Sequence, residues 1–96
     1  MKHFVVAINS PTSEQREAVV GYFKDSSRFG FWHWMPDFWL VYTNNPAITS
    51  AAIRDEIQVL APGLIFAVFC VIPNQDWATY SDPKWADWLN QNWKVQ

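Results

Sequence analysis

An α+β fold built on one antiparallel four-stranded sheet is predicted by three observations on the 96 residues. Four apolar segments rich in β-branched or aromatic residues stand at 4–8, 29–35, 38–43 and 64–72. Two segments with apolar residues at helical spacing, each opened by a capping residue, separate the first strand from the second and the third from the fourth. A Trp-rich amphipathic stretch at 82–94 follows the last strand. The order β-α-β-β-α-β, plus a C-terminal helix, is the ferredoxin-like arrangement. It places both main helices on one face and the first and third strands in the centre.

Each element has a local reason. Residues 4–8 (Phe-Val-Val-Ala-Ile) end at Asn9-Ser10-Pro11, as a buried strand should. Thr12 and Gln15 then form a Thr-x-x-Gln capping box. The helix it opens has Arg16, Val19, Val20 and Phe23 on one stripe, with the Arg16 stem lying along its edge. Pro36-Asp37 is a turn between strands 29–35 and 38–43, which are close enough to form a hairpin. Thr49 caps the second helix, with Ile48 and Ile53 placed as a hydrophobic staple and Ile53, Ile57 and Leu60 as the buried stripe. Pro62-Gly63 stops that helix and Pro73-Asn74 stops the last strand. Asp82-Pro83 is an N-cap followed by Pro at the first helical position. No repeat, linker or low-complexity tract divides the chain, so residues 1–96 read as a single domain.

Seven Lys and Arg against nine Asp and Glu give a net charge of -2, which removes any overall drive toward nucleic acid or anionic membrane. The longest apolar run, 64–72, is too short to span a bilayer, and the five apolar residues at 4–8 are too few for a signal peptide. These features predict a cytoplasmic protein with no membrane role. The single Cys70, inside an apolar run, reads as a small buried hydrophobe. His3 reads as a surface residue at a strand start.

Both faces of the first and last strands are apolar. Phe4, Val6 and Ile8 alternate with Val5 and Ala7; Ile65, Ala67, Phe69 and Val71 alternate with Phe66, Val68, Cys70 and Ile72. Helices cover only one face of such a sheet, and an uncovered apolar face is larger than a monomer tolerates. The second face is therefore covered by the Trp-rich tail, by another subunit, or by both. This predicts a homodimer, with Phe66, Val68, Trp85 and Trp88 as interface residues.

The segment Trp32-His33-x5-Trp39-Leu40-Val41-x-Thr43, the later Ile53-Arg54-Asp55-x-Ile57, and the tail from Trp77-x-x-Tyr80 to Trp88-Leu89 together resemble the small SinR-family proteins. Those are similar to the small ferredoxin-fold subunit of the CRISPR spacer-integration complex and to VapD toxins. The resemblance implies a dimer built by packing sheets and an origin in a bacterium or a phage. It brings no settled activity. The enzymatic relatives are metal-dependent nucleases carrying an Asp at the end of the first strand, one from each subunit, to hold a divalent cation. Asn9 stands at that position here and lacks the charge. Mg or Mn is expected only if the nuclease alternative holds; otherwise no cofactor is expected.

Other candidates are weaker. His33 lies between two tryptophans with no partner evident from spacing, so a general-base role competes with a hydrogen-bonded structural one. Arg28-Phe29-Gly30-Phe31-Trp32-His33-Trp34 partly matches the RNA-recognition pattern of a basic residue followed by Gly and interleaved aromatics. The first Gly of that pattern is missing, and the segment is on the second strand instead of the third. Arg28, Trp32 and Trp34 are the group that would bind a nucleotide or nucleic acid by stacking. No zinc spacing, phosphate loop or nucleophile constellation is present in the sequence. The expected function is a non-catalytic, dimeric protein that binds a protein, nucleotide or nucleic-acid partner. The alternatives are the nuclease and a phage antagonist of a host defence system.

Overall fold

The computed structural model describes residues 1–94. The elements are β1 (Lys2–Asn9), α1 (Ser13–Asp25), β2 (Gly30–Met35), β3 (Phe38–Thr43), α2 (Ser50–Leu60), β4 (Ile65–Val71) and α3 (Pro83–Asn92). The strands form one antiparallel sheet in the order β2-β3-β1-β4, so the first and third strands are central and the topology is ferredoxin-like.

Local chemistry sets the element ends. Thr12 accepts from the backbone of Gln15 while the Gln15 side chain accepts from the backbone of Thr12, the reciprocal box that satisfies two orphan donors. Thr49 accepts from Ala52 at the start of α2. Gly63, at φ 81°, carries the left-handed turn that redirects the chain from α2 into β4. Asp82 accepts from Lys84, with Pro83 opening α3. The Pro36-Asp37 turn closes β2 onto β3 with Met35 opposite Phe38, and Arg16 on α1 holds that turn through Asp37 at 2.8 Å.

Alternation along the strands builds two cores, one on each side of the sheet. On the helical side, Phe4, Val6 and Ile8 of β1 and Trp39 and Val41 of β3 are buried under Val19, Tyr22 and Phe23 of α1 and Ile53 and Ile57 of α2. Ile48 and Ile53 share this core, as the staple requires. The α2 stripe ends one position differently from the sequence expectation: Leu60 is 51% exposed and Ala61 takes the buried place. Positions 53, 57 and 61 recur at four-residue spacing, so the buried stripe runs on to Ala61 just past the helix end at Leu60.

The opposite side of the sheet carries the second core. Trp32, Leu89 and Trp93 are buried there, with Val5, Phe38, Leu40, Val71, Trp77, Trp85 and Trp88 packed around them. Helix α3 is thus laid across its own sheet. The uncovered-face problem is resolved in cis over β2, β3 and part of β1, and it remains over β4.

Candidate functional site

The outer face of the sheet, shared between α3 and open surface, is where the chain's unusual residues gather. Cross-strand pairing fixes which side chains it presents. Trp32 opposes Leu40, Leu40 opposes Val5, and Val5 opposes Phe69. These four stand in one row across the sheet. The row changes character along its length: Trp32 is 3% exposed beneath α3, while Phe69 is 57% exposed.

At the covered end, Trp32 meets Trp85 edge-to-face at 5.4 Å, and Trp34 stacks on Trp85 at 5.7 Å with 16° between planes. Such offset and T-shaped geometries add about 0.5–1.5 kcal/mol per pair beyond area burial. Beside them lies a hollow of about 230 Å³ lined by Trp32, Met35, Thr79, Tyr80, Ser81 and Trp85. None of these side chains carries a charge, so the hollow suits an apolar or aromatic group. At the open end, Ile65 is 69% and Ile72 is 85% exposed on and just beyond β4. Cys70 is exposed too, contrary to the buried role its apolar neighbours suggest. β4 is an edge strand, so a position in an apolar run there has no guarantee of cover.

The residues singled out from sequence are not brought together. Asn9 ends β1, exposed and opposite Ile65. His33 lies half-buried against the other core: its ring stacks on Trp39 at 3.9 Å and 5°, and Nδ1 is 3.0 Å from the carbonyl of Phe38. That is the structural histidine of the two readings. Arg28 stands away from Trp32 and Trp34. It pairs with Glu56 of α2 at 3.2 Å and donates to the Tyr22 hydroxyl at 3.3 Å, lying over the Phe29 ring. The three-residue stacking group is therefore split between the two sides of the sheet. Burial, reinforced by the Glu56 carboxylate, raises the Tyr22 hydroxyl pKa above its usual value. Arg54 and Asp55 form the local pair expected on the solvated face of α2, while Glu56 serves Tyr22 and Arg28 instead.

The four residues named for an interface divide between the two sides of the sheet. Trp85 and Trp88 pack on their own sheet. Phe66 and Val68 lie opposite Ile8 and Val6, on the helical side, partly buried against that core. The outward set on β4 is Ile65, Ala67, Phe69 and Val71, because the strand meets β1 in the register His3 opposite Val71 through Asn9 opposite Ile65.

His3 is the functional-looking residue that sequence reading misplaced. It is 3% exposed, donates from its Nε2 to the carbonyl of Asn92 at 2.9 Å, and meets Trp93 edge-on at 5.2 Å. It ties the first strand to the end of α3. Burial lowers its pKa below 6.5, outweighing the raising effect of the Asn92 bond. The sign follows from that depression: the unfolded chain binds the proton more readily, so the contribution is full above pH 6.5 and is lost as pH falls below it. Replacing His3 by Gln is expected to flatten the decline in urea midpoint between about pH 7 and pH 5 relative to wild type. An unchanged slope would mean that His3 does not set it.

Among the described residues no group of three or more His, Cys, Asp or Glu side chains is placed to hold a metal ion, and no helix is long and apolar enough to cross a membrane. No family model, curated protein or solved structure matches this chain.

Proposed function

We propose that this chain is a small binding or assembly protein that works as a homodimer, joined along its β4 side, and presents its aromatic outer face to a protein, nucleotide or nucleic-acid partner. The observation that carries the reading is the pair Ile65 and Phe69, exposed at 69% and 57% on the outward set of β4 where α3 stops covering the sheet. Large apolar side chains grouped on one face, beside a well-packed aromatic layer, are the mark of an interaction surface. A SinR-type protein of a bacterium or phage, acting in the cytoplasm, is the setting that the sequence resemblance adds to this proposal.

Light scattering on the purified chain tests it. Wild type is expected at twice the chain mass of 11.2 kDa, and Phe69→Lys at the single mass with unchanged far-ultraviolet circular dichroism. The lysine sits on an already exposed position, so it costs the fold little, while it takes away the apolar side chain that packs across the joined β4 strands. A wild type that stays monomeric at high micromolar concentration overturns the reading.

A further inference from the structure

The two edges of the sheet are built differently. The β2 edge is broken by a bulge, since pairing slips between Trp32 and Met35, and its tryptophans are engaged by α3. Bulges and short, covered edges are how proteins prevent unwanted strand pairing. The β4 edge has none of these devices. Seven consecutive residues, Ile-Phe-Ala-Val-Phe-Cys-Val, pair with β1 in unbroken register and include no charge and no proline. Among the described residues, no backbone or side-chain group within the chain bonds to β4 beyond the β1 ladder. A row of N–H and C=O groups therefore points outward along an apolar strand, which is a template for another strand.

The strand is complementary to itself. In an antiparallel pair about a two-fold axis at Val68, Phe66 faces Cys70, Ala67 faces Phe69, and Ile65 faces Val71. Each phenylalanine meets a small side chain, and no like charges meet. An axis at Val68 is also the residue-centred choice that pairs all seven strand residues. We propose that two copies of this chain join edge to edge through β4, antiparallel and centred on Val68, into one continuous eight-stranded sheet. This rests on the dimer proposed above and specifies its geometry. The two outer faces then form a single apolar trough flanked by the two α3 helices.

Cysteine cross-linking in the full chain tests the register. With Cys70→Ser as background, Val68→Cys places two thiols directly opposite at the axis, where Cβ atoms are about 4.5–5.5 Å apart. Ile65→Cys places them six residues out of step, about 20 Å apart. Under mild copper-phenanthroline oxidation, the Val68→Cys protein is expected to form a covalent dimer at least tenfold faster than the Ile65→Cys protein. Amide exchange on the wild-type chain gives a second reading: every β4 amide, including those pointing away from β1, is expected to be protected in a concentration-dependent way. A dimer by light scattering without either result overturns the edge pairing and leaves dimerisation standing. A monomer overturns both.

Discussion

A chain ending at Tyr80 is expected to lose solubility, not merely to lose a helix. Without residues 81–96 the second core has no lid. Trp85, Trp88, Leu89 and Trp93 are gone, and Trp32, Leu40, Val5 and Phe38 face water. Each large aromatic buries about 150–250 Å². At about 25 cal/mol per Å², each Trp lost removes several kcal/mol of gross stabilisation, against a net stability of about 5–15 kcal/mol for a whole domain. The truncated protein should therefore aggregate on expression or bind a hydrophobic dye strongly. A monodisperse truncated protein with native circular dichroism would show that α3 is dispensable for covering the face. The milder Leu89→Ala, at a position 3% exposed, should cost about 2–4 kcal/mol in urea denaturation while leaving the chain soluble.

Trp39→Ala should produce the largest loss from a single substitution, about 3–5 kcal/mol. Trp39 is fully buried between the Phe23 ring at 6.1 Å and the His33 ring at 3.9 Å. Removing it leaves a cavity in the middle of β3 that a rigid sheet cannot close. One detail separates Trp39→Phe from the general expectation. The indole N–H of Trp39 is buried and has no hydrogen-bond partner among the described residues. An unpaired buried donor costs about 1–3 kcal/mol, so the phenylalanine variant relieves that cost while losing part of the ring. It should fall within about 1.5 kcal/mol of wild type by urea midpoint at constant m. A phenylalanine variant as damaged as the alanine one would mean that the indole N–H is satisfied in solution.

Much of the fold could be read from the chain because the signals were local. The Thr12–Gln15 box, the Thr49 cap, the Pro36-Asp37 turn and the Asp82-Pro83 start each act within a few residues, and each appears where its chemistry demands. What was not legible depends on contacts far apart in sequence. The Arg28–Glu56 pair joins residues 28 positions apart, and His3–Asn92 joins residues 89 apart. Neither leaves a pattern in spacing. Alternation divides β4 into two sets of side chains but does not say which set faces the helices; the register with β1 puts Phe66 and Val68 there. Composition likewise could not decide between cis and trans cover for Trp85 and Trp88, since both place the same rings against apolar surface.

The apolar character of both sheet faces also bears on how reliably the strands find their places. In a sheet wet on one side, a slip by one residue exposes a whole row of greasy side chains and corrects itself. Here Val5 and Val6, or Trp39 and Leu40, are each at home in one core or the other, so hydrophobicity alone penalises misalignment weakly. The penalty must come from the few groups that fit only one alignment: His3 reaching the end of α3, Arg16 on Asp37, and Lys2 on the carbonyl of Ile48. These sparse polar links act as index pins for an otherwise ambiguous ladder. Their removal should trap misaligned, slowly correcting species during refolding before it lowers the stability of molecules that have folded correctly.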